Sequence, residues 1–141
     1  MAVICELCNT QGGRVLWKDN LCRVVLVDDD GYPGYCRVIW NDHIKEMTEL
    51  AAEGRRHFMD VVFAVEVCVR DVLAPEKINL ASLGNVTPHL HWHVIPRFRS
   101  DPHFPNTIWG IKQRDEQCNI TGPLVEQLCN RVAGLVLTAQ R

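Results

Sequence analysis

The stretch His89-Leu90-His91-Trp92-His93-Val94-Ile95 decides how the rest of this sequence is interpreted. Histidine alternates with apolar residues along it, and half of the protein's six histidines lie there. Because successive side chains of an extended strand point to opposite faces, the three imidazoles are predicted to share one face while the residues between them enter the core. Imidazole can act as a nucleophile, a general acid or base near neutral pH, or a metal ligand. The spacing alone does not choose among these roles.

Composition limits the kind of protein that this chain can be. Its 141 residues, 47% of them hydrophobic, are enough for one ordinary domain with a buried core. A net charge of −2, with no run of more than two basic residues, argues against binding to long nucleic acid. No apolar run reaches the length of a membrane span, and the N-terminus lacks the apolar core of a signal peptide. Seven cysteines, an odd number, predict reduced thiols in a cytoplasmic protein.

Periodicity predicts five strands and two helices. Residues 15–17, 22–27, 36–40 and 78–83 are predicted as strands, in addition to the triad strand. Residues 48–73 have apolar side chains at three- and four-residue steps, which is typical of a helix that packs on a sheet, and Thr48 can cap its start. A second helix is predicted over residues 121–139. This pattern predicts an α+β fold with a mainly antiparallel five-stranded sheet.

A Cys-x-x-Cys pair, Cys5 and Cys8, lies close to the N-terminus. The spacing fits half of a zinc site, a redox pair or two incidental thiols. No strand-then-helix pattern of the thioredoxin type surrounds the pair, which disfavours the redox interpretation. A zinc site would need two more ligands from elsewhere in the chain.

The triad stretch resembles the signature of the histidine triad (HIT) superfamily of nucleotide hydrolases and transferases. The resemblance extends to Leu-Gly-Asn at 83–85, Pro-Arg-Phe at 96–98, Pro-Gly at 33–34 and Trp-Asn-Asp-His at 40–43. It covers about residues 5–110. It implies a HIT-like fold, a single HIT domain over residues 1–141 that includes the C-terminal helix, and a homodimer.

The resemblance also assigns the chemistry. His91 would attack the α-phosphorus of a nucleotide and form a covalent nucleotidyl-histidine, which water then hydrolyses. His93 and Asn85, with backbone amides near Thr87, would stabilise the charge that develops on the phosphoryl oxygens, and His93 is also a candidate proton donor. No carboxylate cluster accompanies the triad, so catalytic magnesium is not expected.

Further residues would hold the nucleotide. The resemblance places Asp28 at the ribose, where a carboxylate accepts from both hydroxyls, and Asn79 near the ribose or phosphate. Trp109 resembles aromatic residues that lie near the substrate or the partner subunit in relatives, and plain packing explains it equally well. Tyr35 departs from the family pattern, since many relatives have a histidine there. A tyrosine keeps an aromatic face and a hydroxyl but does not titrate near neutrality, so the base preference is not implied.

The resemblance also completes the zinc site. In bacterial relatives that carry the N-terminal motif, the remaining ligands are a histidine just after the third strand and the first histidine of the triad. Here they are His43 and His89, which join Cys5 and Cys8 in a Cys2His2 set suited to structural zinc. Such a site would tie the N-terminus to the sheet and would occupy His89. No organic cofactor is implied.

The expected activity is that of a diadenosine tetraphosphate hydrolase-like enzyme, which cleaves dinucleoside polyphosphates. An adenosine phosphoramidase-type hydrolase is an alternative, because phosphoramidates also present an α-phosphate. A nucleotide-binding regulator with little turnover and a zinc-dependent interaction module are two further alternatives. The intact triad favours an enzyme, because a binding protein could lose the middle histidine without losing affinity.

Overall fold

The computed structural model of the protein describes residues 4–115 and 118–137. An antiparallel five-stranded sheet organises them, with the strand order β1-β2-β3-β5-β4. The strands are β1 Arg14–Lys18, β2 Cys22–Leu26, β3 Cys36–Trp40, β4 Lys77–Ala81 and β5 His91–Arg97. The predicted α+β class and five-stranded antiparallel sheet are confirmed.

Within the described residues, three α-helices accompany the sheet: α1 Glu6–Asn9, α2 Ala52–Leu73 and α3 Gly122–Ala133. The two long helices α2 and α3 pack on each other and against one face of the sheet. Val24, Val38 and Val94, on three adjacent strands, are fully buried beneath them. None of the described helices is both long and apolar enough to cross a membrane.

The opposite face of the sheet carries the histidines. On β5, His91 and His93 alternate with Trp92 and Val94, which pack into the core, so the alternation predicted for this strand is confirmed. The face opposite the two long helices is covered by the short helix α1, by the loop before β5 and by the segment after β5. The site is therefore assembled between the sheet and irregular segments.

The predicted ends of both long helices need correction. The first long helix begins at Ala52, since Thr48 lies in a separate 3-10 turn (Met47–Glu49) and Ala51 is the N-cap without a side-chain bond. Extended backbone at Leu50, whose side chain is buried in the core, separates the turn from the helix. The C-terminal helix ends at Ala133 rather than at residue 139, because the backbone leaves the helical conformation at Gly134. Residues 138 and 139 lie outside the described residues.

Two strands are also shorter than predicted. The second strand ends at Leu26, one residue before its predicted end, and the fourth ends at Ala81, two residues before its predicted end. The triad strand begins at His91, because the backbone N–H of His89 donates to the Thr87 carbonyl and makes a turn there. His89 therefore precedes the strand instead of belonging to it.

Candidate active site and metal centre

Strand β5 holds His91 and His93 side by side at the bottom of a cavity. Their ring centroids are 4.9 Å apart and their planes lie at 82°, so the edge of one ring faces the other. Both side chains are buried. Pairing with β3 sets Arg37 directly opposite His93 and Ile39 opposite His91. Directly opposite residues of an antiparallel pair share a face, so β3 completes the floor of the site.

The hydrogen bond of His91 defines its free nitrogen. Its Nδ1 lies 2.5 Å from the backbone carbonyl oxygen of His89. Because a carbonyl can only accept, Nδ1 carries the proton and Nε2 keeps an unshared electron pair. Burial lowers the pKa of His91, which favours this neutral form. The Ser82 hydroxyl donates to the carbonyl of His91 at 2.8 Å and holds the backbone of the strand in place.

The hydrogen bond of His93 differs. Its Nδ1 contacts the hydroxyl of Tyr35, which is buried beside it. Burial raises the pKa of Tyr35, so the phenol keeps its proton and we assign it as the donor to Nδ1. The proton of His93 then lies on Nε2. Burial lowers the pKa of His93 to about 3, assisted by repulsion from His91 when that ring is protonated and by the positive charge of Arg37, so this imidazole is also neutral at pH 7. The two rings therefore have opposite tautomers.

The loop between β4 and β5 forms the roof of this cavity, which we call the triad cavity and which has a volume of about 480 Å³. Gly84 has a φ of +82°, a conformation that favours glycine, and turns the loop back over the sheet. The turn brings Asn85 and Thr87 into the same cavity as His91 and His93. Its other lining residues are Glu6, Leu7, Arg37, Leu83, Gly84, Val86 and Trp109.

A second cavity of about 450 Å³ adjoins the triad cavity, and we call it the outer cavity. Asp28 lines it together with Tyr32 and Tyr35. Arg37 and Trp109 line both cavities and mark the boundary between them. The ring of Trp109 lies 5.0 Å from that of His93, centroid to centroid. Asp28 is thus near the histidines but in a separate compartment.

Asn79 is not brought into the triad cavity or the outer cavity. It lines a third cavity at the edge of β4, where its Oδ1 accepts from Nη1 of Arg97 at 2.8 Å. The same guanidinium binds both carboxylate oxygens of Asp101, at 2.8 and 3.0 Å, and the carbonyl of Asn106. This buried network holds the segment after β5 against the sheet, and that segment delivers Trp109 to the site.

A metal centre is suggested by the residues that meet beside α1. The ligand atoms of Cys5, Cys8, His43 and His89 all lie within 4.8 Å of one another. The Sγ atoms of both cysteines lie 3.4 Å from Nδ1 of His89, and Sγ of Cys8 lies 3.4 Å from Nδ1 of His43. A tetrahedral zinc ion with Zn–S bonds of about 2.3 Å and Zn–N bonds of about 2.0 Å separates S and N by about 3.5 Å. The four side chains therefore fit zinc.

Neighbouring groups orient these ligands. Nε2 of His89 donates to the Trp40 carbonyl at 2.6 Å, which leaves Nδ1 free for the metal, as is usual for zinc-bound histidine. Arg23, a buried arginine on β2, donates to the carbonyls of Leu7 and Gln11 at 2.8 and 3.0 Å and so fastens the Cys-x-x-Cys segment to the sheet.

Sequence reasoning did not identify Arg23 or Arg37. Each is a charged residue in an otherwise apolar strand, and this pattern could have indicated a buried arginine with a specific role. For Arg37, the period of two also places it on the same face of β3 as Tyr35. Neither signal shows what the side chain contacts, because the contacts come from distant segments.

The fold and site define a class of protein: an α+β protein that presents two neutral imidazoles from one strand to a polar cavity. Within that class, comparison with family models is decisive, because residues 10–100 match the HIT domain. The chain belongs to the HIT family, a group of nucleotide-binding proteins and nucleotide hydrolases.

Solved structures agree with this assignment. A histidine triad protein from Marinobacter aquaeolei is 27% identical, with a TM-score of 0.68 over 89% of this chain and 97% of that one. A histidine triad protein from Bradyrhizobium japonicum is 21% identical, with a TM-score of 0.73 over 92% and 94%. A Zn-bound histidine triad family protein from Mycobacterium smegmatis is 18% identical, with a TM-score of 0.59 over 86% and 84%. The last two show a shared fold. Comparison with curated proteins gave no match.

Proposed function

We propose that the protein is a hydrolase or nucleotidyl transferase that cleaves its substrate at the α-phosphorus of a nucleotide through a covalent intermediate on His91. The observation that carries this proposal is the 2.5 Å bond from Nδ1 of His91 to the His89 carbonyl. It leaves the unshared pair of Nε2 as the nucleophile of a residue that lines the triad cavity.

The proposed reaction has two displacements. Nε2 of His91 forms a bond to phosphorus while the bond from phosphorus to the leaving group breaks, and the electron pair departs with the leaving group. Water then attacks the same phosphorus, the phosphorus–nitrogen bond breaks, and the nucleoside monophosphate is released. Preorganised hydrogen-bond donors lower the activation free energy of both steps. The candidate donors are Nε2–H of His93, the amide of Asn85 and the backbone near Thr87.

A dinucleoside polyphosphate is the proposed substrate, with a phosphoramidate as the alternative. Because the pKa of His93 is lowered to about 3, its neutral ring donates a hydrogen bond but is a poor source of a whole proton. A polyphosphate group departs as an anion and needs only the hydrogen bond. An amine leaving group needs the proton, which makes the phosphoramidate the less favoured substrate.

Two residues outside the triad cavity are proposed to contact the nucleotide, Asp28 from the outer cavity and Asn79 from the third cavity. Asp28 lines the outer cavity, where its carboxylate could accept from the ribose hydroxyls. Asn79 has its Oδ1 bound by Arg97, so its contact to a ribose or phosphate would be made by the amide Nδ2.

The proposal includes a structural zinc ion held by Cys5, Cys8, His43 and His89, supported by the fit of their spacing to tetrahedral coordination. Zinc would supply a rigid cross-link between the N-terminal segment and the sheet. The protein is further proposed to consist of one HIT domain and to reside in the cytoplasm, since the seven cysteines are all free thiols.

A homodimer is also proposed. Phe63 and Val67 are partly exposed one turn apart on α2, and among the described residues no strand pairs with the outer edge of β4. Sedimentation of the native protein at micromolar concentration tests this, with a mass of twice 16.1 kDa expected. A single 16.1 kDa species would contradict it.

The nucleophile is tested by offering the protein a panel of dinucleoside polyphosphates and phosphoramidates that carry labelled adenosine phosphate, and then stopping the reaction with an alkaline denaturant. The phosphorus–nitrogen bond of a nucleotidyl-histidine is stable in alkali and is hydrolysed by acid, so alkali preserves the protein-bound label. Label on His91 and release of AMP are expected. In His91→Ala, nucleotide binding should persist while AMP release disappears. Unchanged release from this variant would reject the assigned nucleophile, and binding without turnover in the native protein would favour a nucleotide-binding regulator.

A further inference from the structure

Arg37 is a charged side chain at the centre of the site, and the proposed reaction gives it no task. It lies on β3, directly opposite His93, and lines both the triad cavity and the outer cavity. Its Nε is buried and has no hydrogen-bond partner among the described residues. A buried donor without a partner costs stability, so such a group is informative when it lies at the boundary of two cavities.

The charge of Arg37 is not neutralised by an ion pair. Acidic residues line the two cavities, Glu6 in the triad cavity and Asp28, Asp29 and Asp115 in the outer cavity, but none of the ion pairs within residues 4–115 and 118–137 includes Arg37. The Cζ atom of Arg37 lies 5.6 Å from the centroid of the Tyr35 ring. The guanidinium therefore adds a positive charge beside two neutral imidazoles, an arrangement suited to an anion.

We propose that Arg37 binds the phosphate that carries the reacting phosphorus and so determines that the substrate has an anionic phosphate at this point. The planar guanidinium presents its N–H groups as a fork that matches two phosphate oxygens, which a single imidazole or amide cannot do. This inference rests on the proposed function, because it assumes that His91 faces the same phosphorus.

The position of Arg37 also indicates which part of the substrate lies in each cavity. The nucleoside would occupy the outer cavity with Asp28, and the leaving group would occupy the triad cavity beneath Asn85 and Thr87. The phosphate held by Arg37 then lies where the chain of substrate atoms passes from one cavity to the other. A neutral nucleoside would occupy only the outer cavity and would offer Arg37 no phosphate oxygens to bind.

The experiment compares the binding of AMP and of adenosine by calorimetry in the native protein, Arg37→Gln, Arg37→Lys and the control Arg14→Gln. Arg14 is an exposed arginine that pairs with Glu126, so its replacement changes the net charge equally at a distant place. In Arg37→Gln we expect AMP to bind about 10- to 100-fold more weakly than in the native protein. The affinity for adenosine is expected to change by no more than about twofold. Arg37→Lys should recover part of the loss, because it keeps the charge without the fork, and Arg14→Gln should bind AMP as the native protein does.

Two results would overturn the inference: AMP binding in Arg37→Gln within about twofold of native, or an equal loss for AMP and adenosine in both Arg37 variants. The labelling of His91 separates this outcome from failure of the proposed function. A labelled native protein with unchanged AMP binding in Arg37→Gln refutes the role of Arg37 alone. Absence of label in a native protein that releases AMP refutes the proposed nucleophile, while the affinities still decide the role of Arg37.

Discussion

At the scale of single residues, two chemically identical side chains are separated in role by their hydrogen-bond partners. His91 faces a backbone carbonyl, which can only accept, and His93 faces a buried phenol that keeps its proton. One ring is left with a free electron pair and the other with a free N–H. This division depends on Tyr35, the position at which the sequence departs from the pattern of many relatives.

Tyr35→Phe is predicted to lower kcat about tenfold with little change in KM, because it removes the donor that fixes the tautomer of His93 and leaves the aromatic ring in place. Steady-state kinetics on the best substrate of the panel measure both constants. The matched change Tyr32→Phe removes a hydroxyl that contacts His103 instead, so kcat should be retained there. Equal values of kcat for Tyr35→Phe and the native protein would refute the assigned role.

At the scale of elements, segments too short to be stable alone depend on bonds to the rest of the fold. Helix α1 has four residues and no side-chain cap, yet Glu6 and Leu7 form a wall of the triad cavity. Arg23 on β2 donates to the Leu7 carbonyl of this helix, and the two cysteines would hold it through zinc. The wall of the cavity is therefore expected to depend on the metal.

Native protein purified without added zinc is predicted to contain about one zinc ion per chain, and Cys5→Ser/Cys8→Ser to contain almost none. Elemental analysis measures the content. Cys118→Ser, which removes a partly buried thiol distant in the chain, is the control and should keep its zinc. Native protein with almost no metal would contradict the assigned site.

The loop into β3 depends on a glycine. Gly34 has a φ of +85°, and a Cβ there would collide with Leu73 at the end of α2. Gly34→Ala is predicted to reduce the free energy of unfolding by about 2 to 4 kcal/mol, measured by urea denaturation. Gly122→Ala is the matched control, because nothing lies within 4 Å of its Cβ, and a change within about 0.5 kcal/mol is expected. Equal effects of the two changes would refute the explanation.

At the scale of the whole molecule, the fold buries neutral imidazoles between the sheet and the loops that cover it. The pKa of His93 is lowered to about 3 in the folded protein, against about 6.5 in an unfolded chain. Between these values the unfolded chain binds a proton that the folded protein does not, so the free energy of unfolding rises with pH across this window. Burial lowers the pKa of His89 and His91 as well, in the same direction.

The protein is therefore predicted to lose stability as the pH falls from about 6.5 towards 3, and His93→Gln to lose less over the same range. Urea denaturation at a series of pH values gives both curves. Loss of zinc on acidification is expected to affect both proteins alike. The difference between the two curves of unfolding free energy against pH therefore gives the contribution of His93. Parallel curves would show that His93 does not contribute to the pH dependence.

The sequence by itself determined the fold class and the face on which the triad lies, because both follow from local periodicity. Alternation in residues 91–95 separates the imidazoles of His91 and His93 from the core side chains, and the helical period in residues 52–73 needs no distant contact. The ends of the elements were less predictable: extended backbone at Leu50 and the turn at His89 depend on burial and on backbone bonds outside the element.

The tertiary structure alone decided which side chains meet. The pairing of Arg37 with His93 follows from the register between β3 and β5, and the bond between Asn79 and Arg97 from that between β4 and β5. The approach of Cys5 to His89 joins positions 84 residues apart. Periodicity states which face a residue occupies, but the partner on that face is set by strand register and loop closure, which are properties of the whole chain.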